Sequence, residues 1–268
     1  MLIDFHTHAF PDKLAPRALP PLAERIHSEP LYDGTVGGLL ASLDRWGVDR
    51  AVICNIATNP KQTENVNSFA IETQKEHGDR LSPLGSLNPE CTPEFMEREL
   101  IRLKEAGVRG LKIHPDYTGH TIDDPRFDAV FSLAAAHGMF LVTHAGFDVY
   151  SPDFIHASPE RILRRLERSP DAVLVAAHYG GNKQWDEVEE KLIGKNLWID
   201  TSLGGFCGLA PAQAKRMLTR HDPEKILFGS DAPWCSSAET LAYLDSLGLS
   251  AGLTERITHK NAEALLGL

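Results

Sequence analysis

Cysteine is scarce in this chain: four occur among 268 residues, at Cys54, Cys91, Cys207 and Cys235, and no two form a Cys-x-x-Cys pair. Sparse, scattered thiols favour a reducing compartment over a disulfide framework. The first residues also lack the basic and then apolar pattern of a signal peptide, and no apolar run approaches the length that spans a membrane. We therefore expect a cytoplasmic protein that does not engage membranes.

Positive charge is also in deficit, with 27 Lys and Arg against 37 Asp and Glu and a formal net charge of -10. A protein that binds the nucleic-acid backbone needs a concentrated excess of Lys and Arg, so we expect no nucleic-acid partner. The 42% hydrophobic and 24% charged residues are ordinary for a globular protein. No linker or shift in composition divides the chain, which we therefore expect to form one domain over residues 1–268.

Short apolar runs alternate with longer amphipathic segments along the chain, a rhythm typical of βα units and a parallel sheet. Eight such strands at this length predict a (β/α)₈ barrel. An open doubly wound sheet is disfavoured because no Gly-rich phosphate fingerprint follows the first strand. The Pro-rich stretch 10–35 is too irregular for one regular element, and we expect it to act as a lid or pocket wall. The strands are predicted near residues 2–8, 50–56, 81–87, 108–114, 140–144, 172–178, 197–202 and 225–231.

The predicted first strand ends in His6-Thr-His8. Successive side chains of a strand point to opposite faces, so the two histidines leave the same side and form half of a metal site. A barrel builds its active site at the C-terminal ends of its strands. The polar residues at the ends of other predicted strands are therefore further candidates, and these are His114, His144, His178 and Asp231.

Five motifs resemble the amidohydrolase superfamily, in particular its branch that includes aminocarboxymuconate-semialdehyde decarboxylase. They occur in family order and span the chain: His6-Thr-His8, Gly110-Leu-Lys-Ile-His-Pro115, Thr143-His-Ala-Gly146, His178-Tyr-Gly-Gly181 and Phe228-Gly-Ser-Asp-Ala-Pro-Trp234. The resemblance implies one divalent metal ion, usually zinc with manganese as the alternative. It also implies that the ligands are His6, His8, His144 and Asp231 and that His178 lies beside the water on the metal.

The chemistry of these side chains agrees with the implied roles. Three neutral imidazoles and one carboxylate suit zinc and leave a coordination position for water, whose pKa falls to ~7 in the best-tuned sites. Asp231 can accept a proton from that water and pass it to the leaving group. His178 can polarise a substrate carbonyl or stabilise the oxyanion that forms.

Lys112 and His114 share the inward face of the predicted fourth strand, where a lysine is rarely buried without a task. We expect both to bind substrate, together with Asn55 and Trp234. Two alternatives remain open for Lys112. A carboxylated lysine from this strand bridges two metals in the binuclear branch of the superfamily, and a purely structural lysine would pair with Asp4 or another inward carboxylate.

Two reactions fit this sequence. A hydrolase would attack a small amide, lactone or ester with activated water, whereas a non-oxidative decarboxylase would remove carbon dioxide from an unsaturated or aromatic carboxylic acid. Decarboxylation requires a cationic clamp, and no Arg stands at a predicted strand end, although Arg17, Arg25 or an Arg of a neighbouring subunit would serve. We therefore favour a hydrolase acting on a small carboxylic acid or its derivative. A non-catalytic barrel with a structural metal is disfavoured because such a site is closed by four firm ligands. A homodimer is left open.

Overall fold

Eight strands alternate with helices in the computed structural model, which describes residues 1–268. The alternation and the parallel pairing confirm the predicted (β/α)₈ architecture. The strands are β1 (Ile3–Thr7), β2 (Arg50–Ile53), β3 (Leu81–Pro83), β4 (Gly110–Ile113), β5 (Phe140–Thr143), β6 (Leu174–Ala176), β7 (Trp198–Asp200) and β8 (Ile226–Leu227). The helices are α1 (Ala15–Ile26), α2 (Val36–Trp46), α3 (Thr63–His77), α4 (Pro93–Glu105), α5 (Pro115–Thr118), α6 (Asp128–Ala136), α7 (Pro159–Arg168), α8 (Trp185–Lys191), α9 (Pro211–Arg220), α10 (Ser237–Ser246), α11 (Ala251–Glu255) and α12 (Asn261–Leu266).

Backbone hydrogen bonds close the strands into a barrel. Strands β1 to β3 and β4 to β8 pair in parallel within a three-stranded and a five-stranded sheet. At one seam between the sheets, Lys112 N–H donates to Gly85 O at 2.8 Å, and at the other Phe5 N–H donates to Phe228 O at 2.7 Å. Because all strands are parallel, their C-terminal ends meet at one end of the barrel.

Apolar side chains fill the lower part of the barrel. Phe5 and Phe140 lie on strands that are not neighbours, yet their ring centroids are 5.6 Å apart, so both rings point inward. A Cβ at Gly110 would lie 2.4 Å from the Phe140 ring, so only glycine fits beside it. Buried residues that pack with this pair include Ile3, Val52, Leu84, Val142, Val175 and Leu227.

Strand β1 carries a bulge just before the predicted metal ligands. Its register against β2 pairs Asp4 with Ala51 but Thr7 with Ile53, so β1 contains one extra residue. A bulge interrupts the strict alternation of side chains. Phe5 consequently reaches the apolar interior while the next residue, His6, also reaches inward.

Helix α1 lies within the Pro-rich stretch 10–35, where the sequence did not predict a helix. The helix contains Pro20 and Pro21, which cannot donate to the carbonyl groups of Pro16 and Arg17 four residues earlier. All four residues are exposed, so water can satisfy those carbonyls. The solvent-facing position of the prolines therefore makes the helix compatible with them.

The stretch 10–35 begins and ends at the same place. Phe10 N–H donates to Gly34 O at 2.7 Å, and Phe10 forms an isolated bridge with Thr35. As expected of a pocket wall, the segment contributes a row of residues to the cavity described below. These are Phe10, Pro11, Leu14, Arg17, Ala18, Pro21, Leu22, Arg25 and Ile26.

Smaller differences concern the ends of elements. The sequence predicts a last helix near residues 255–266, and the structure divides this range into a π-helical segment over Arg256–Lys260 and α12, with α11 ending directly before them. Strand β8 has only two residues, and a 3₁₀ turn over Pro125–Phe127 precedes α6. No helix combines the length and apolar character needed to cross a membrane.

Candidate active site

A cavity of about 740 Å³ opens at the C-terminal ends of the strands. Polar side chains from the strand ends lie in it, and α1 and the loops after β5 to β8 contribute further lining residues. All nine residues predicted for the site line this cavity: His6, His8, Asn55, Lys112, His114, His144, His178, Asp231 and Trp234.

His6, His8 and Asp231 converge in the cavity. Asp231 Oδ1 lies 3.0 Å from His8 Nε2 and 3.3 Å from His6 Nε2. Asp231 has a left-handed backbone with φ 75°, and its N–H donates to His6 O at 2.8 Å. Burial acts to raise the pKa of Asp231, but the hydrogen bond with His8 and the charges of the neighbouring imidazoles hold that pKa well below its usual range. The carboxylate is therefore ionised and faces two imidazole nitrogens.

Asp200, at the end of β7, lies behind His6 and was not predicted from the sequence. Its Oδ2 is 2.8 Å from His6 Nδ1, and its Oδ1 accepts from the Ser202 hydroxyl and from the backbone N–H groups of His178 at 2.9 Å and Ser202 at 3.0 Å. Burial opposes ionisation, but His6 and the other donors outweigh it and hold the pKa of Asp200 well below its usual range. An ionised Asp200 places the proton of His6 on Nδ1 and leaves a lone pair on Nε2.

Lys112 Nζ lies 3.0 Å from His6 Nε2 and is positioned to donate to its lone pair. Lys112 is buried, and no carboxylate lies within ion-pair distance of its ammonium group. Burial and the Lys112 charge lower the pKa of His6. Lys112 does not pair with Asp4, which was the structural alternative for this lysine. Asp4 instead accepts from Ser230 N–H at 3.0 Å and from the Ser237 hydroxyl at 2.6 Å.

His144 and His178 face each other beside the first cluster. His144 Nδ1 lies 3.1 Å from His178 Nε2, and His178 Nδ1 lies 2.7 Å from Ser202 Oγ. Because the Ser202 hydroxyl donates to Asp200, its oxygen accepts from His178 Nδ1–H, and the proton between the two histidines belongs to His144. Burial and the neighbouring imidazole lower the pKa of His178 well below its usual range. The structure thus brings His144 to His178 and does not place it among His6, His8 and Asp231.

His114 stacks on His144, with ring centroids 4.3 Å apart and an interplanar angle of 9°. Its Nε2 lies 3.5 Å from Asp148 Oδ2, and its Nδ1 lies 3.6 Å from Asp116 Oδ2. The other oxygen of buried Asp116 accepts from Ser151 Oγ at 2.5 Å. Asp116 therefore ties the loop after β5 to the strand end that carries His114. Neither Asp116 nor Asp148 was predicted from the sequence.

Aromatic rings continue outward from His114 in a row. The Tyr117 ring meets His114 edge-on at 4.7 Å, and the Tyr150 ring stacks on Tyr117 at 4.3 Å. The Arg25 guanidinium lies 4.7 Å from the centre of the Tyr150 ring. These rings join α1 to the polar centre along one wall of the cavity.

The remaining predicted residues lie on the cavity wall. Asn55 Nδ2 donates to Ala9 O at 2.6 Å, while its Oδ1 is buried without a partner. Trp234 is 9% exposed and follows Asp231 along the loop after β8. Asn55 Oδ1 is therefore an unused acceptor within the lining, and the Trp234 ring is an apolar surface near the carboxylate.

The donor set at His6, His8 and Asp231 fits a divalent cation. One ligand atom from each residue lies within 4.8 Å of the other two. Two imidazole nitrogens and one carboxylate oxygen suit zinc or manganese. The carboxylate of Asp200 on the far nitrogen of His6 is the outer partner that metal-binding histidines usually have. Two further groups of this kind are His6, His178 and Asp200, and His114, His144 and Asp148.

The barrel and the cluster at its C-terminal end define the class of protein. The family model described as Amidohydrolase matches residues 3–268, and the chain belongs to this amidohydrolase family. Members of the family are enzymes and usually bind a divalent metal. No curated protein matches the sequence.

Solved structures share the fold over nearly the whole chain. An uncharacterised TIM-barrel protein from Bordetella bronchiseptica is 19% identical, with a TM-score of 0.77 and coverage of 99% of this chain and 98% of the other. A probable 2-pyrone-4,6-dicarboxylic acid hydrolase from Acinetobacter baumannii, with citric acid bound, is 17% identical, with a TM-score of 0.71 and coverage of 100% and 99%. A 5-carboxyvanillate decarboxylase from Novosphingobium aromaticivorans, complexed with manganese, is 14% identical, with a TM-score of 0.72 and coverage of 100% and 96%. At these sequence identities the likeness to the solved structures concerns the fold alone.

Proposed function

We propose that this protein is a metal-dependent hydrolase that uses activated water to cleave a small amide, lactone or ester of a carboxylic acid. The observation that carries the proposal is the convergence of His6, His8 and Asp231, with the buried Asp200 carboxylate fixing the His6 tautomer. The family to which the chain belongs supports metal dependence.

One divalent cation is proposed to be held by His6, His8 and Asp231, with His144 as the fourth ligand implied by the resemblance. To join this set, His144 must turn away from His178 Nε2, which now lies 3.1 Å from its Nδ1. When bound, the cation supplies Lewis acidity that polarises a substrate carbonyl and activates water. Zinc is the proposed metal, with manganese as the alternative.

The chain's own groups are proposed to move the protons. Asp231, ionised between two imidazoles, accepts a proton from the attacking water and delivers it to the leaving group. His178, neutral and held through Ser202, donates toward the substrate oxygen that gains charge. For that step His178 must carry its proton on Nε2. Substrate binding therefore has to break the contact with His144, and the Ser202 hydroxyl has to turn from Asp200 and donate to His178 Nδ1.

Lys112, His114, Asn55 and Trp234 are proposed to bind the substrate. The Lys112 ammonium group has no carboxylate partner, and Asn55 Oδ1 has no donor, so both retain unused bonding capacity. His114 presents a stacked ring face, and Trp234 an apolar one. This combination suits a compact, partly unsaturated or ring-bearing acid derivative.

A decarboxylase is the second candidate function. It is favoured by Arg17 and Arg25, because both line the cavity and supply the cationic groups that are missing from the strand ends. Isotope labelling separates the two reactions with any substrate found by screening. Hydrolysis introduces oxygen from heavy-oxygen water into the new carboxyl group. Decarboxylation in deuterium oxide instead places deuterium on the carbon that has lost carbon dioxide, and the product contains no solvent oxygen. That result would replace the hydrolase by the decarboxylase.

The number of metal ions tests the proposed site itself. We expect one divalent cation per chain by elemental analysis, and an empty site when His6→Ala and His8→Ala are combined. Two equivalents, with an added carboxyl mass on Lys112, would instead establish the binuclear arrangement. The position of Lys112 Nζ beside His6 Nε2 makes that measurement necessary.

A further inference from the structure

The charge of the cavity lining is opposite in sign to the net charge of the whole protein. The whole chain carries a formal charge of -10, yet its cavity is lined by four cations and only two carboxylates. A concave site lined by one sign of charge concentrates ligands of the opposite sign. The cations are Arg17, Arg25, Lys112 and Lys183, and the carboxylates are Asp148 and Asp231.

The two carboxylates are engaged by histidines and do not neutralise the cations. Asp231 lies 3.0 Å from His8, and Asp148 lies 3.5 Å from His114. Arg25 forms no ion pair with any carboxylate, in contrast to the paired arginines on α7 and α9. The Arg25 charge therefore remains available to a ligand.

Arg25 is also held in place at a distance from the polar centre. Its guanidinium rests on the Tyr150 ring at 4.7 Å, and Tyr150 stacks on Tyr117. A guanidinium lying on an aromatic face keeps its planar fork of N–H donors free. The rings of Tyr150, Tyr117 and His114 lie between Arg25 and His144, and Arg25 is an exposed residue of the cavity lining, so it lies at the mouth of the cavity.

We propose that Arg25 binds an anionic group of the substrate that is remote from the reacting bond. The subsite takes a carboxylate or a phosphate-like oxyanion, both of which match the guanidinium fork. This inference rests on the proposed function for the direction in which the substrate lies: its reacting end meets His6, His8 and Asp231, and its distal anion meets α1.

Binding of paired probes to the zinc-loaded protein tests the subsite without requiring turnover. Benzoate has one carboxylate, isophthalate has two, and 3-phosphonobenzoate has a carboxylate and a phosphonate. We expect the doubly anionic probes to bind more tightly than benzoate by calorimetry. In Arg25→Ala this advantage should fall by about 10- to 100-fold, the range for one charge-assisted hydrogen-bonded contact, while benzoate binding changes little. The probe with the larger advantage identifies the anion class.

Arg98→Ala is the matched control, because Arg98 is an exposed arginine 4.8 Å from the Phe95 ring and outside the cavity. It should leave the advantage unchanged, and Arg25→Lys should keep only part of it because an ammonium group lacks the fork. Equal weakening of all three probes in Arg25→Ala would mean that Arg25 only holds α1 in place, and the proposal would fail. An unchanged advantage would also overturn it. A preserved preference in a protein that hydrolyses nothing would refute the proposed function alone.

Discussion

Replacing Asp200 by Asn tests the inference that a carboxylate fixes the tautomer of His6. Asn can still accept the two backbone N–H groups with its carbonyl oxygen, but its amide would then face His6 Nδ1, which now lies 2.8 Å from Oδ2. An amide donates where the carboxylate accepted, so the imidazole proton would move to Nε2 and remove the lone pair offered to the cation. Loss of such an outer partner typically lowers metal affinity by about 10- to 100-fold, or roughly 1.4 to 2.8 kcal/mol.

Competition against a chromophoric chelator measures this zinc affinity, and nitrogen NMR of labelled histidine reports which ring nitrogen of His6 carries the proton. Asp116→Asn is the matched control, because it also converts a buried carboxylate beside a histidine, but that histidine, His114, lies outside the proposed ligand set. Zinc affinity in this control should stay close to that of the wild type. If Asp200→Asn binds zinc as tightly as the wild type, the tautomer argument is wrong.

Three further substitutions test other parts of the structure. His178→Asn should retain the metal and lower turnover by about 10²- to 10³-fold, the range for losing one oxyanion donor, and loss of metal with activity would make His178 a ligand. Gly110→Ala should lower the free energy of unfolding by about 1 to 3 kcal/mol in denaturant titrations, because the new Cβ would lie 2.4 Å from the Phe140 ring; Gly252→Ala, with nothing within 4 Å, is its control and should not destabilise. Burial lowers the pKa of His221, so the unfolded state binds more protons below its own pKa of about 6.5 and stability falls as pH drops below that value. His221→Asn should lose less stability than the wild type between pH 7 and pH 5, and an equal loss would show that His221 does not contribute.

The barrel was predictable because each strand is a short apolar run bounded by helix caps and glycines. The sequence predicts helices near residues 36–46 and 63–77, each closed by a glycine, and the bounds of α2 and α3 agree because Gly47 and Gly78 follow them directly. Helix α1 was missed because the rule against proline inside a helix assumes that the freed carbonyls lack other partners. In α1 those carbonyls belong to exposed residues, which the sequence alone does not reveal.

The candidate site was predictable where a residue type stands at a strand end within a motif, as His6 and Asp231 do. Asp200 belongs to no such motif. A single carboxylate at the end of a strand looks like a surface aspartate until its partner, His6 on β1, is known to lie beside it. The only indication that its carboxylate points inward was the spacing of Asp200 and Ser202, because residues two apart in a strand face the same side. Asp116 was missed for the same reason, because its partners lie on the loop after β5.

The closed base of segment 10–35 has a consequence for how this barrel can acquire new specificities. The segment leaves β1 and returns beside its starting point, where Phe10 meets Gly34 and Thr35. Its length therefore does not set the distance between β1 and α2, and a longer, shorter or differently charged segment can be grafted at the same two points. Arg25 belongs to the segment, whereas His6 and His8 belong to β1 and the residue after it. Such an exchange would therefore change the substrate preference and leave the metal ligands in place.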